Sequence, residues 1–408
     1  MRIAFVSHEY PPDTAGGGIG TYLAQVTPAL AAAGHDIEVL CGTRGRPGVS
    51  TPQRGLRVHR LAARPGADFR AAVLPLFTAL HQQTPIDVVE GTDFDAPANG
   101  IKRGYPKVPY VVKLHTPRFV IDELHAQRPR LLQSVRIHLG AWRRGQRNRP
   151  GSSIRARPEG REELAALQLA DELAAPSRAI AGRAEEWSPG AAHKLSTFPY
   201  PFQPSPALQA VPLHTDTHRV TFIGRLEPRK GVWDLATAAR EVVATAPEAR
   251  FLFVGRIMSA IDDDGQSLDA LRRRAGRAAN RLEFTGAVPA ATIPGLLAET
   301  DVVVAPSHWE SFGLVCCEAL AAGRAVIASS AGGMREILDD GRCGILVEPR
   351  QPRRLAAAIV RLLRDPELRA SLGAAGRARV TSEYAIERVV PLQLASYIRA
   401  IERCRRRT

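Results

Sequence analysis

Glu310 and Glu318 frame a mostly apolar segment in the run PSHWESFGLVCCEALAAG, residues 306–323. A strand-like DVVVAP leads into it, and the pattern predicts a loop and then a helix starting near Ser311. Glu310 then sits at the loop edge, and Glu318 lies roughly 12 Å further along at about 1.5 Å per helical residue. Carboxylates so far apart form neither a close catalytic pair nor, by themselves, a metal site. They can grip two ends of an extended ligand by accepting hydrogen bonds from its hydroxyls. Between them the backbone N–H groups of Phe312, Gly313 and Leu314 are free to point at a ligand phosphate. The bland alternative is a buried helix whose acids happen to reach solvent.

A second cluster is cationic. FIGRLEPRKGVWDLATA places Arg225 and Lys230, with Arg229 between, after a strand and before a helix. The helix N-terminus already favours anions, so cations there have no dipole reason and read as a diphosphate clamp, against a solvated basic loop. Near the N-terminus, HEYPPDTAGGGIGTYLAQVTPALAAAG sets Gly16, Gly17, Gly18 and Gly20 between a strand and a helix ending near Gly34. Such a turn lets backbone N–H groups approach an oxyanion. It also serves simply as a sharp bend, and it matches neither the dinucleotide fingerprint nor the P-loop. His115 closes YVVKLH at a strand's end, and EGTDFDAPA leaves Glu90 and Asp93 at another, either as acceptor contacts or as solvated loop acids.

The elements that must hold these groups repeat one pattern twice. RIAFVS (2–7), DIEVLC (36–41), DVVEG (87–91), YVVKLH (110–115) and DELAAPS (171–177) read as strands separated by helices. After the proline-rich FPYPFQPSPALQAVP the pattern restarts with RVTFIG (219–224), RFLFVG (250–255), RLEFTG (281–286), DVVVAP (301–306), AVIAS (325–329) and GILVEP (344–349). The runs lack polar alternation, as buried parallel strands do. The simplest architecture is α/β with two Rossmann-like doubly wound domains: residues 1–198, a linker at 199–217, a second domain at 218–378, and a C-terminal helix over 379–408. A single large sheet with a proline-rich loop is the alternative.

A chain of 408 residues suits two domains, and 45% apolar with 24% charged residues is a globular composition. No apolar run approaches the roughly 20 residues a membrane-spanning helix needs. MRIAFVSHEYPP reads as a first strand, since Glu9 and two prolines follow where a secretion signal stays apolar. Cys41, Cys316, Cys317, Cys343 and Cys404 lack metal-ligand spacing and suggest a reduced, cytoplasmic chain. Asp262, Asp263 and Asp264 read as a solvated loop, so no metal site is expected. The net charge is +14, and residues 118–162 hold eleven Arg against Asp122, Glu123, Glu159 and Glu162. Within this basic insertion Leu131, Leu132, Val135, Leu139 and Trp142 recur at helical spacing. Such a helix either lies on an anionic membrane, peripheral at the inner face, or packs on its own domain. Nucleic acid would want interleaved aromatics, and only Phe119 and Trp142 qualify.

The Glu-seven-residues-Glu spacing around SFGL, the upstream GRLEPRKG and the N-terminal GGxG loop together resemble the GT-B glycosyltransferases of family 4, nearly end to end. The resemblance implies two domains facing a cleft, with C-terminal helices packing back toward the first. It implies a retaining transfer of sugar from a nucleotide-diphosphate sugar to a hydroxyl acceptor, which could be a glycan, a lipid-linked group or a small molecule. It further implies that Glu318 binds the ribose, Glu310 the transferred sugar, and Arg225 and Lys230 the diphosphate. Phe312 to Leu314 would supply backbone contacts, Gly17 and Gly18 would close over the reacting centre, and His115 would contact the sugar. No metal and no tightly bound cofactor is then required, the nucleotide sugar being the donor substrate. An epimerase or phosphorylase of the same fold is the alternative, but the extra carboxylates of the one and the pyridoxal-binding Lys of the other are not evident.

Overall fold

Every β-rich run quoted above becomes a strand in the structure, a computed structural model that describes residues 1–14, 17–126, 152–257 and 268–407. The chain divides into two units, residues 1–201 with 389–408, and residues 202–388.

The first unit contains β1 (Arg2–Val6), β2 (Asp36–Gly42), β3 (Gly48–Gln53), β4 (Leu56–Leu61), β5 (Val88–Thr92), β6 (Tyr110–Lys113), β7 (Glu172–Ala175) and β8 (Leu195–Thr197). They form one sheet in the order β3-β4-β2-β1-β5-β6-β7-β8, parallel except where β3 runs antiparallel to β4. β3, β4 and β8 are additions to the sequence reading. β3 is almost wholly exposed and contains Pro52, an edge strand without the apolar run that marks a buried one. β8 has three residues only.

The C-terminal helix, Ile386–Arg407, joins this unit from Val389 on and buries Val389, Gln393, Tyr397 and Ala400. Its Gln393 Nε2 and Tyr397 hydroxyl donate to Glu90 Oε2 at 2.6 and 2.8 Å, and the Tyr22 hydroxyl donates to Glu90 Oε1 at 2.7 Å. Glu90 is therefore an interior acid satisfied by three donors, neither a solvated loop acid nor an acceptor contact. Buried Lys113 completes the group, its Nζ 3.3 Å from Gln393 Oε1 and 3.8 Å from the Phe198 ring centroid.

The second unit contains β9 (Arg219–Ile223), β10 (Arg250–Val254), β11 (Leu282–Gly286), β12 (Val302–Ala305), β13 (Ala325–Ser329) and β14 (Ile345–Val347), all parallel in the order β11-β10-β9-β12-β13-β14. Helices Val232–Thr245 and Pro352–Arg364 bury their apolar faces on one side, with Leu235, Ala239, Ile359 and Leu362 fully enclosed. In both units the chain moves outward from a first strand and then reverses to its other side, at β1/β5 and at β9/β12. Ligands of doubly wound sheets bind at the carboxyl ends of strands beside such reversals.

Gly16, Asp262–Asp264 and the helical-spacing stretch from Leu131 to Trp142 lie outside the described residues. Among the described residues no helix is long and apolar enough to cross a membrane. All five cysteines are buried and none forms a disulfide.

Candidate active site

In the second unit the loop after β9 carries Arg225, Arg229 and Lys230, the last two in a short 3-10 turn, Pro228–Lys230. The loop after β12 carries Glu310. The two are laced together: His308 N–H donates to the Arg229 carbonyl at 2.7 Å, and Lys230 Nζ pairs with Glu310 Oε1. Arg229, almost fully buried, lies 2.7 Å from Glu227 and 3.5 Å from Glu310. Arg225 turns instead toward Glu227 at 3.5 Å and keeps about a third of its side chain exposed. Burial alone would raise the Glu310 carboxyl, but the Lys230 and Arg229 charges outweigh it and hold it at about 2. Glu310 is thus ionised, with a cation beside it and a second nearby.

The helix after this loop is Leu314–Ala321. It starts three residues later than the sequence pattern suggested. The cause is Gly313, whose φ of 114° lies in the left-handed region and whose added Cβ would stand 2.6 Å from Met334 Cγ. The N–H groups of Gly313 and Leu314 have no acceptor among the described residues, so they open the helix as anion donors. Glu310 itself is pinned from below: Gly333 N–H donates to its carbonyl at 2.9 Å, and a Cβ on Gly332 would meet that oxygen at 2.0 Å.

Glu318, partly enclosed like Glu310, differs from it in what meets its carboxylate. No hydrogen bond or ion pair reaches that carboxylate among the described residues, and burial raises it to about 7. A carboxylate desolvated without a counter-group is a cost to the fold, and it stands ready for hydroxyl donors.

In the first unit, Gly17 is extended and Gly18 begins the helix Gly18–Ala32 with no side-chain cap. His115 follows β6 and is buried. Its backbone N–H donates to Asp93 Oδ1 at 2.9 Å, and its Nδ1 lies 2.5 Å from the Tyr200 hydroxyl. Burial, with a smaller contribution from Lys113, lowers the imidazole to about 3, so it is neutral. Asp93 is buried and its carboxyl is pushed well above the ordinary range by desolvation; the reading as a solvated loop acid fails here too.

The sequence reading overlooked Tyr200, Gly332, Gly333 and Lys113. Tyr200 sat in a stretch read as a proline-rich linker. The glycine pair at 332–333 comes three residues after the end of β13, and a glycine pair in such a loop is a signal of close backbone approach. Lys113 was hidden in a strand run, where a lysine normally points to solvent. Asp216, His218 and Asp301 bring ligand atoms within 4.8 Å of one another, but both Asp301 oxygens already accept backbone N–H groups from Thr217, and one also from His218.

In the second unit the charged loops stand at the chain reversal, where doubly wound sheets bind ligands, and comparison with known proteins gives the class. Residues 17–201 match the family model of the glycosyl transferase 4-like domain, and residues 207–379 that of the glycosyl transferases group 1. The chain is 29% identical over 434 residues to glycogen synthase of Mycobacterium tuberculosis, covering 98% of this chain and 95% of that one. It is 40% identical over 181 residues to the phosphatidyl-myo-inositol mannosyltransferase of Mycolicibacterium smegmatis, 44% of each chain. Among solved structures, sucrose-phosphate synthase from Thermosynechococcus elongatus superposes with a TM-score of 0.73 at 24% identity, covering 98% and 99% of the two chains. HepE of Anabaena in complex with UDP gives 0.67 at 20% identity with the same coverage. The chain belongs to the GT-B glycosyltransferases, and its second half is of the group 1 type. It is an enzyme that transfers sugar.

Proposed function

We propose that this glycosyltransferase takes its sugar from a nucleoside diphosphate sugar and passes it, with retention at the anomeric carbon, to a hydroxyl acceptor. The observation that carries the donor assignment is the pairing, in one unit, of an unsatisfied carboxylate with an open helix N-terminus and a cationic loop. Glu318 takes the ribose hydroxyls. The N–H groups from Phe312 to Leu314, with Arg225 and Lys230, take the diphosphate. Glu310 holds the transferred sugar, and His115, Gly17 and Gly18 serve the reacting centre. Fixed cations and N–H dipoles stabilise the departing diphosphate, the work that a divalent metal does in other transferases.

Retention is what the family resemblance implies. A double displacement would need a carboxylate on the far face of the sugar, and no residue here is assigned that role: Glu310 is bound to Lys230 and Glu90 to three donors. Front-face attack by the acceptor, assisted by the departing phosphate oxygen, is the step we propose. HepE's complexes with UDP and with UDP-glucose support a nucleotide donor.

The test is a thermal-shift and hydrolysis screen over UDP-, GDP-, ADP- and dTDP-sugars. A donor at about 100 times its Kd stabilises the fold by about 2.7 kcal/mol. One nucleotide should stand out, and NMR of the product should show the donor's anomeric configuration kept. No response to any of the four, or an inverted product, overturns the corresponding half of the proposal.

A further inference from the structure

The Tyr200 hydroxyl lies between two atoms, 2.8 Å from the Leu114 carbonyl oxygen and 2.5 Å from His115 Nδ1. A carbonyl oxygen only accepts, and a phenol has one proton to give. If that proton went to Nδ1, the Tyr200 and Leu114 oxygens would face each other at 2.8 Å with no hydrogen between them. The arrangement that satisfies both contacts sends the Tyr200 proton to Leu114 and has the Nδ1–H of His115 donate to the Tyr200 oxygen. A neutral imidazole carries a single N–H. Nε2 is then a bare lone pair, and this buried atom has no hydrogen-bond partner among the described residues. The rings of Tyr22 and Tyr200 stand 5.5 and 5.2 Å from the imidazole and keep the ring in place.

We propose that Tyr200 is a positioning residue that fixes His115 in the Nδ1–H tautomer, so that Nε2 accepts a hydrogen bond from one hydroxyl of the transferred sugar. This rests on the reading of His115 as a sugar contact and adds its polarity: the enzyme requires a hydroxyl that donates at that place. Neutrality of the imidazole at physiological pH, set by its burial, is consistent with an acceptor role. A donor sugar bearing fluorine at that carbon keeps the size and an acceptor atom but loses the proton, and it should be a poor substrate.

The tautomer is read directly from long-range 1H–15N correlation spectra of the full chain labelled with 15N-histidine, His115 being assigned by the signals lost in His115→Gln. The expected result is a protonated Nδ1 and an unprotonated Nε2 in the wild type. In Tyr200→Phe the Nδ1–H loses its acceptor, and the ring should shift toward the Nε2–H form or a mixture. Turnover should fall about tenfold or more, the loss of about 1.4 kcal/mol, while affinity for the nucleoside diphosphate selected by the donor screen stays within about twofold. An Nε2–H ring in the wild type overturns the proposal, as does an unchanged tautomer in Tyr200→Phe; if that variant fails to fold, the wild-type spectrum alone decides. Deoxyfluoro donors give the second measurement: one position should be intolerant of fluorine, and tolerance at all positions overturns the acceptor role. Should the tautomer stand as proposed while His115→Gln keeps full turnover, the sugar reading of His115 fails and the role of Tyr200 in setting the ring survives.

Discussion

Lys230 and Glu310 form an ion pair that closes the loop after β9 onto the loop after β12. A group proposed for the diphosphate thus rests, before donor arrives, against a group proposed for the sugar. Arg225 has no such bond to the Glu310 loop and leans on Glu227 from a more exposed position.

Lys230→Ala should therefore cost more than Arg225→Ala. It removes a proposed diphosphate contact and leaves Glu310 with Arg229 as its one neighbouring cation, so the loss of transition-state stabilisation should be about 2 to 4 kcal/mol, against about 1 to 2 for Arg225→Ala. Steady-state kinetics at varied donor measure both. Full activity in the two single variants removes the diphosphate clamp from the mechanism.

Glu318 and Glu310 should separate by what they hold. The ribose does not change during transfer, so Glu318→Ala should weaken the free nucleoside diphosphate and the whole donor alike. Glu310→Ala should spare nucleotide affinity and lower kcat. Calorimetric titration followed by turnover at saturating donor distinguishes them. Wild-type nucleotide affinity in Glu318→Ala would sink the ribose assignment, and the reverse pattern would turn the donor around along the helix.

Glu318 should also leave a signature in stability. Its carboxyl ionises at about 7 in the fold, against about 4.5 when unfolded. The unfolded chain loses its proton first as pH rises, so the wild type gives up stability between these values and has lost the full amount above pH 7. Glu318→Gln is spared that loss. Its gain over wild type should be small at pH 5 and on the order of 2 kcal/mol at pH 8, after allowance for partial exposure. Paired thermal melts across pH test this, and a gain independent of pH would show that the carboxylate is solvated.

The Glu90 group should behave as a structural lock. Tyr397→Phe leaves Glu90 Oε2 with the Gln393 donor alone and should destabilise the first unit by about 1 to 3 kcal/mol, as buried acceptors do when a partner is removed. Chemical denaturation reports it, and nucleotide affinity in the second unit should be unchanged. An undiminished midpoint would show that water replaces the hydroxyl.

Eleven of the fourteen strands among the described residues were legible as apolar runs, because parallel strands buried on both faces cannot hide their composition. The charged loops stood out for the converse reason: GRLEPRKG and HWESFGL put ionic groups beside apolar runs, where nothing in the local pattern needs them. The exposed strand β3 lacked such contrast and went unseen. So did the true start of the helix at Leu314, since the left-handed turn at Gly313 is set by Met334, twenty-one residues downstream.

Spacing alone determined that Glu310 and Glu318 sit at opposite ends of a short segment, and that cations precede them at a strand end. Which charges are neutralised, and by what, was decided only by the fold. Glu90, Lys113 and Glu310 look alike in the sequence as charged residues in or just after strands. The fold makes one a triply bonded interior acid, the next an amine over an aromatic ring that burial lowers to about 7, and the last an ion-paired carboxylate held at about 2. The same holds for His115. Its place at a strand end is local information, but the atom it offers depends on Tyr200, eighty-five residues away, because the proton on an imidazole is assigned by its partner.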